Sequence, residues 1–332
     1  MTKPTVLVIA PTPYFSDRGC HIRIYEETKI IQSLGYHVTM VTYPLGRDLG
    51  TATIQRTKAL PWYHKTTAGP AWSKLLLDIQ LGWLAYRAIK KDRPILIHAH
   101  LHESMWLAWL LKQRWHIPVV LDLQSSLPAE LKSYGGIWKL LAPLAKWYER
   151  WALWVADVVI ASSAKVSPQA IVVADGIASR LTTAVTQQYD LVYSGGIGKQ
   201  KGTDQLFQAL EIIAQQRPIT VLIIAQGKPQ QLPPYITWLE HVPYEQLLPL
   251  LAKAKIGIEP KPLHSTEGSG KLLNYLAAGI TPVTLPVDGP TAAGLARDII
   301  AVLAGQPSKP VTYVTWESNA AILKQVYASA LR

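Results

Sequence analysis

The sequence predicts an α/β protein made of two doubly wound domains, each a parallel sheet covered by helices on both faces. Short apolar runs of strand length alternate with helix-length segments along the chain. Continuous apolar strands separated by helices are typical of parallel sheets that are buried on both sides. The chain has 332 residues, which is natural for two domains of about 150 residues each.

The first half of the chain carries five strand-like runs. They cover residues 6–10, 38–43, 95–100, 119–123 and 157–161. A helix is predicted over 23–34, where Ile24, Thr28, Ile31 and Leu34 lie roughly on one face and Gly35 ends the segment. A second is predicted over 104–114, between two strands and stopped before Pro118. The alternation of strand and helix indicates one complete doubly wound sheet in this half.

The pattern restarts after a loose stretch at residues 177–190. Strands are predicted over 191–193, 220–225, 256–258 and 281–284, with helices over 203–215 and 244–254. We therefore place an N-terminal domain at 1–180 and a C-terminal domain at 181–310. We expect 311–332 to form a helix that packs back toward the N-terminal domain. Ligands of such sheets bind outside the carboxyl ends of the strands, so two facing domains would form a cleft.

The composition limits the partners. The net charge is +11, from 33 Lys+Arg against 22 Asp+Glu, which suits nucleic acid, anionic lipid or an anionic small substrate. The basic residues are scattered and no nucleic-acid recognition motif is present, so we expect no nucleic-acid partner. The single cysteine, Cys20, excludes an intrachain disulfide and fits a reducing cytoplasm. We expect no signal peptide, since residues 1–4 are followed at once by an apolar run of strand length, 5–10. We expect no transmembrane helix, since no apolar run reaches about 18 residues.

Twelve tryptophans against two phenylalanines form an unusual aromatic composition. Several of them lie beside Lys and Arg in two helix-forming stretches, 72–91 and 138–154. Trp mixed with basic residues is typical of a membrane–water interface, although core and surface tryptophans would give the same count. We hypothesise that these stretches dock on an anionic membrane, on the inner face of the cell membrane.

Two glycine-rich segments each follow a strand and open a helix, at 194–204 and 267–271. Glycines let the backbone approach a ligand closely, and the free N–H groups and dipole of a helix start favour an anion. The first segment matches neither the dinucleotide fingerprint nor a Walker loop, and one such turn alone is often only a turn. Two of them in one domain, with lysines such as Lys199 and Lys201, favour a diphosphate site.

Polar residues also follow strands of the N-terminal half. The loop at 14–21 could bind an anionic or hydroxyl-rich group, or be an ordinary βα loop. His98, His100 and His102 alternate at a strand end, which suggests a metal. No fourth ligand is obvious, so we favour hydrogen bonding there and expect no metal. No Ser-His-Asp order, HExxH or C-x-x-C motif supports a hydrolase or a metalloprotease.

In this order, the segments resemble the retaining glycosyltransferases of family 4, which have the GT-B fold of two Rossmann-like domains facing across a cleft. The resemblance covers nearly the whole chain. It rests on EETKIIQSLGYHVTMVTY, IHAHLHES, PVVLDLQSSLPAEL and ERWALWVADVVIASS in the first half, and on VYSGGIGKQKGTDQLFQAL and EGSGKLLNYLAAGITPV in the second.

The resemblance implies that the C-terminal domain binds a nucleotide-diphosphate sugar as co-substrate. Lys201 falls where the family places the lysine that holds the diphosphate, and Gly196 replaces an arginine. Glu267 stands near a glutamate that contacts the transferred sugar. Asn274 replaces the glutamate that holds the ribose, and an amide binds hydroxyls without the strength of a charge. The expected donor-binding residues are Gly195, Gly196, Lys201, Glu267, Gly268, Ser269, Gly270, Lys271 and Asn274.

The resemblance also implies that the N-terminal domain binds the acceptor, and that Glu267, Lys201 and Gln124 are catalytic. The expected acceptor-binding residues are Arg18, Gly19, His21, His100, Asp122 and Gln124. The implied reaction is metal-independent transfer of a hexose, with retention, to a hydroxyl of a glycan that is lipid-linked or membrane-associated. The alternative is a nucleotide-sugar-binding relative with weak or lost turnover, which Asn274, Gly196 and two shortened segments, 163–190 and 283–290, suggest.

Overall fold

The protein is described by a computed structural model that covers residues 3–17, 19–64, 73–134, 136–177, 180–181, 185–240, 242–261, 269–286 and 290–332. The chain forms two compact units. The first contains Met1–Asp175 and Trp316–Arg332, and the second contains Gly176–Thr315. Each unit holds one parallel sheet with helices on both faces. The predicted α/β fold class is therefore confirmed.

The first unit is built on a seven-stranded sheet with the order β3-β2-β1-β4-β5-β6-β7. The strands are β1 (Thr5–Ala10), β2 (His37–Thr42), β3 (Thr53–Arg56), β4 (Leu96–His100), β5 (Val119–Leu123), β6 (Val158–Ala161) and β7 (Ile171–Val172). All neighbouring strands pair in parallel. The strand order reverses between β1 and β4. The carboxyl ends of these two strands therefore form a switch point, where ligands of such folds bind.

The helices of the first unit lie on opposite sides of this sheet. They are α1 (Gly19–Ser33), α2 (Ser73–Asp92), α3 (Met105–Trp115), α4 (Leu127–Tyr134), α5 (Gly136–Leu140), α6 (Ala142–Val155) and, from the end of the chain, α11 (Trp316–Ala330). On β4, Ile97 and Ala99 belong to a buried cluster with α2, α3 and α6. The intervening His98 contacts α1 and α11. Because successive strand residues point to opposite faces, α1 and α11 cover the other side.

The second unit contains a five-stranded parallel sheet with the order β10-β9-β8-β11-β12. The strands are β8 (Tyr189–Ser194), β9 (Val221–Ile224), β10 (Ile236–Leu239), β11 (Ala254–Glu259) and β12 (Thr281–Thr284). Helices α7 (Thr203–Gln216) and α10 (Ala292–Leu303) cover one face, and α8 (Tyr244–Leu251) and α9 (Gly270–Ala277) cover the other. Here the strand order reverses between β8 and β11. The first glycine-rich segment and residues 269–271 of the second lie at that point.

Three strands of the structure are not predicted from the sequence, namely β3, β7 and β10. All three are edge strands. The residues of β3 are only partly buried or exposed, and both residues of β7 are exposed. An edge strand has a neighbouring strand on one side only, and its side chains are less covered by helices. It therefore does not need the continuous apolar run on which the prediction depends.

Candidate functional site

The first glycine-rich segment leaves the carboxyl end of β8 and leads through a short 3₁₀ turn, Lys199–Lys201, into α7. Gly202 begins α7 with φ of 72°, and a Cβ atom there would lie 2.1 Å from the carbonyl oxygen of Pro260. Gly195 has φ of 147°, and a Cβ there would lie 2.6 Å from Cε of Lys271. The backbone of this segment therefore touches the segments that follow β11. The contact with the Pro260 backbone requires glycine at 202, and the positive φ favours glycine at 195.

The second glycine-rich segment ends in the N-terminus of α9. Ser269 caps this helix, since its side chain accepts a hydrogen bond from the backbone N–H of Leu272 at 3.5 Å. Gly270 is exposed and Lys271 half-buried. The two glycine-rich segments predicted to form one site are thus in contact at the carboxyl ends of β8 and β11.

Sequence reasoning missed Glu259, the last residue of β11. Its side chain is 1% exposed, and its two carboxylate oxygens lie 3.0 Å and 3.2 Å from Nζ of Lys271. Ser269 also donates a hydrogen bond to this carboxylate. A charged residue that ends an otherwise apolar strand, in the run IGIE, is the signal that could have identified it.

Two buried tyrosines form the floor beneath the glycine-rich segments. The hydroxyl of Tyr193 donates to the carbonyl of Gly196 at 2.6 Å. The hydroxyl of Tyr275 accepts from the N–H of Ser194 at 3.2 Å and donates to the carbonyl of Ile258 at 3.0 Å. Burial raises the pKa of both tyrosines. Their hydroxyls therefore stay protonated and hold the ends of β8 and β11 in place.

The remaining predicted donor-binding residues have distinct placements. Lys201 ends the 3₁₀ turn, and its backbone N–H donates to the carbonyl of Gly198 at 2.9 Å. Asn274 is half-buried on α9, one turn beyond the helix start. Glu267 and Gly268 lie outside the described residues. The structure thus brings Gly195, Gly196, Ser269, Gly270 and Lys271 to one edge of the sheet, and their roles stay predictions.

A buried ionic cluster lies at the switch point of the first unit. Arg23 of α1 donates to both carboxylate oxygens of Asp122, at 2.7–3.1 Å. The same guanidinium lies 2.8 Å from Glu27 and 2.8 Å from Asp175. Burial opposes ionisation of Asp122, but the charge of Arg23 and hydrogen bonds from Arg23 and His100 outweigh it and hold the pKa of Asp122 well below its usual range.

Two of the three predicted histidines join this cluster. Nδ1 of His100 lies 2.9 Å from Asp122, and the His98 ring stacks on the His100 ring at 4.5 Å. Burial and the neighbouring His100 lower the pKa of His98. His102 lies elsewhere, with Nε2 3.0 Å from Glu149. The expectation that alternate residues share one face therefore fails for His102, because Leu101 has φ of 65° and turns the chain away from the strand.

Ligand atoms of Glu27, His98, His100 and Asp122 lie within 4.8 Å of one another, close enough to hold a metal ion. The guanidinium of Arg23, however, already binds both carboxylates of this group. A cation would have to share these carboxylates with a permanent positive charge, which is unfavourable. The arrangement favours the hydrogen-bonding interpretation of the histidines.

The predicted acceptor-binding residues divide into buried and accessible ones. His21, His100 and Asp122 are each 0% exposed. The ring of His21 contacts Thr12 Oγ1 at 2.6 Å and accepts from the Ser16 N–H at 2.9 Å, so it orders the preceding loop. Gln124 is half-buried beside Asp122, and Gly19 is exposed at the start of α1. Arg18 lies outside the described residues.

A set of large apolar side chains is exposed on the outer surface of α2, α5 and α6, and we call it the aromatic face. Its members are Leu75, Leu76, Ile79, Trp83, Ile137, Leu140, Leu144, Trp147 and Trp154, which are 49–82% exposed. They recur at helical spacing on the side away from the sheet. Exposed Lys139, Lys146 and Arg150 lie among them. No helix in the described part of the chain combines the length and hydropathy that crossing a membrane requires.

The sequence models of known families match both parts of the chain. Residues 18–182 match the glycosyl transferase 4-like domain, and residues 188–309 match the glycosyl transferases group 1 domain. Among proteins with curated descriptions, no sequence matches this chain.

Several solved structures share the fold over nearly the full length. Sucrose-phosphate synthase from Thermosynechococcus elongatus has 16% sequence identity and a TM-score of 0.72, with 98% of each chain covered. Anabaena Alr3699/HepE in complex with UDP and glucose has 14% identity and a TM-score of 0.59, with 98% and 95% covered. An alpha-glucosyltransferase in complex with UDP and a DNA 13-mer has 11% identity and a TM-score of 0.60, with 99% and 94% covered.

Identities of 16% or less establish a shared fold and nothing finer. The two family models add the class of protein, because together they cover most of the chain and follow each other in the order of its two halves. The chain belongs to the glycosyltransferases of GT-B fold, in which a glycosyl transferase 4-like domain precedes a glycosyl transferases group 1 domain.

Proposed function

We propose that this protein transfers a hexose from a nucleotide-diphosphate sugar to an acceptor hydroxyl, with retention and without a metal. The observation that carries the proposal is the contact between the two glycine-rich segments at the carboxyl ends of β8 and β11. Helices α7 and α9 follow β8 and β11, the two strands between which the order of the sheet reverses. This position and this chemistry suit a diphosphate.

The proposed mechanism rests on electrostatic stabilisation of the leaving diphosphate. The starts of α7 and α9 supply positive potential, and Lys201 lies at the start of α7. Positioning the acceptor hydroxyl beside the anomeric carbon lowers the barrier of the reaction further. In the same-face attack that the resemblance implies, the departing phosphate takes the proton of the acceptor, so the reaction needs no dedicated protein base.

The nucleotide and sugar are identified by testing UDP-, GDP- and ADP-hexoses. We expect one of them to raise the thermal unfolding temperature, and we expect release of free nucleoside diphosphate once acceptor is added. Stabilisation without release would support the alternative, a binding protein with lost turnover, which the amide of Asn274 in place of a carboxylate favours. If no nucleotide sugar stabilises the protein, the proposal is wrong.

We infer further that the acceptor is presented by an anionic membrane, because the aromatic face combines tryptophans with basic residues. Trp147 and Trp154 are 69% and 82% exposed, and burying such surface in lipid is favourable. Basic side chains of the same helices would meet anionic headgroups. Three predicted acceptor-site residues, His21, His100 and Asp122, are buried and would hold the surrounding backbone in place. Gln124 is half-buried and could contact the acceptor.

Sedimentation with vesicles tests the membrane proposal. We expect binding to vesicles rich in phosphatidylglycerol at low salt and weaker binding to phosphatidylcholine vesicles. The Trp147→Ser/Trp154→Ser variant should bind several-fold less, because each exposed tryptophan contributes buried apolar area. Leu331→Ser is the control, since Leu331 is 41% exposed and lies outside the aromatic face, beside Lys112 and His116. Equal sedimentation of all variants would contradict the proposal.

A further inference from the structure

The Glu259 carboxylate holds the two ends of the segment that separates β11 from α9. Its oxygens accept hydrogen bonds from the backbone N–H of Lys261 at 3.2 Å and from the hydroxyl of Ser269. Ser269 is also the N-cap of α9. A single buried carboxylate therefore fixes the point at which the helix begins and the direction in which its first N–H groups point.

Lys271 is held by the same carboxylate through both oxygens. Its side chain is 17% exposed, its Cε packs where a side chain at Gly195 would lie, and its Nζ is 5.5 Å from the centre of the Tyr193 ring. The ammonium of Lys271 thus lies between the carboxylate, the Gly195 turn and the Tyr193 ring, and is held in position beside the two glycine-rich segments.

Moving Lys271 onto a phosphate would leave Glu259 without its counter-charge. Glu259 is 1% exposed, and an ionised carboxylate that is buried without a cationic partner is strongly unfavourable. Neutral hydrogen bonds from Ser269 and Lys261 would remain, but they do not replace a charge. The pair is therefore expected to persist when a ligand binds.

We propose that Glu259 is a positioning residue of the donor site, and that Lys271 is its ion-pair partner and not the cation that neutralises the donor diphosphate. This inference rests on the proposed function. The pair has no net charge, and its task is to hold the start of α9 against the Gly195 turn. The diphosphate is then met by backbone N–H groups and by Lys201. In this proposal Lys271, which the resemblance places among the donor-binding residues, acts on the donor only by holding the start of α9.

The test compares Lys271→Met, Glu259→Gln and the double variant for binding of UDP, GDP and ADP by calorimetry at several salt concentrations. Lys271→Met leaves a buried carboxylate without a counter-charge, so we expect this variant to bind roughly tenfold more weakly or to fold poorly. The double variant replaces an ion pair, which has no net charge, by two uncharged side chains. We expect it to fold and to bind within about threefold of the wild type, with an unchanged dependence on salt.

Lys255→Met is the matched control, because Lys255 is 54% exposed at the opposite, amino-terminal end of β11. A double variant that binds more than about tenfold more weakly than the wild type, with a shallower salt dependence, would show that Lys271 contacts the phosphates and would overturn the inference. If the wild type binds no nucleoside diphosphate, the proposed function is wrong, but this result does not decide the inference about Glu259 and Lys271. The thermal unfolding temperatures of the variants then decide it. The inference requires the double variant to be more stable than Lys271→Met, in which Glu259 has lost its counter-charge.

Discussion

At the scale of single residues, the molecule depends on buried charges that are matched across long distances in the sequence. Arg23 lies 99 positions before Asp122 and binds it through three hydrogen bonds. The same guanidinium donates to the carbonyl of Val173 at 2.7 Å and to Asp175. One side chain therefore joins α1, β5 and the end of the first unit, where the chain passes into the second.

The Asp122→Asn variant tests this cluster. Removing one partner of a buried ion pair should lower the free energy of unfolding at pH 7 by about 3 kcal/mol. The folded-state pKa of Asp122 lies below the unfolded value. Its contribution is therefore present at neutral pH and lost on acidification, so the difference from wild type should shrink below about pH 4.

Urea unfolding at pH 7 and pH 3 measures both effects. Asp298→Asn is the control, since its partner Arg297 is 74% exposed and such surface pairs contribute less than about 1 kcal/mol. An equal, pH-independent loss in both variants would show that the Asp122 ion pair is not what stabilises the first unit.

At the scale of elements, the donor site depends on where α9 begins. Ser269 and Thr291 are both N-caps, of α9 and α10 respectively. Of these two helices, α9 is the one whose first turn contacts the first glycine-rich segment, through Lys271 and Gly195. The two caps thus perform the same local task, but one of them also directs N–H groups toward the proposed diphosphate.

The variants Ser269→Ala and Thr291→Ala separate these two tasks. Each should cost about 1 kcal/mol of stability, as loss of an N-cap usually does. Only Ser269→Ala should weaken binding of the nucleoside diphosphate, which calorimetry would measure. A similar loss of affinity in Thr291→Ala would mean that the effect is one of general stability and not of the α9 start.

Elements also show what the sequence alone can predict. The interior strands and both glycine-rich turns are predictable, because an apolar run or a glycine after a strand is a local signal. The edge strands β3, β7 and β10 lack that signal. Glu259 and Arg23 escape prediction for another reason: each has its role only through partners that the fold brings to it. The assignments of Glu267, Gly268 and Arg18 lie outside the described residues and stay predictions.

At the scale of the whole molecule, the two units have different chemical characters. The first carries the aromatic face and the buried ionic cluster. The second carries the two glycine-rich segments over their floor of tyrosines. This division agrees with the proposed distribution of work, in which the first unit meets a membrane-held acceptor and the second holds the donor.

The central claim is that the glycine-rich segments of the second unit bind the diphosphate of a nucleotide sugar. Calorimetric titration of wild type, Lys201→Ala and the control Lys255→Ala with the stabilising nucleotide sugar tests it most directly. We expect single-site binding by the wild type and the control, and at least tenfold weaker binding by Lys201→Ala, as loss of roughly 1.5 kcal/mol from a charged hydrogen bond implies. Equal affinity in all three proteins, or no binding by the wild type, would contradict it.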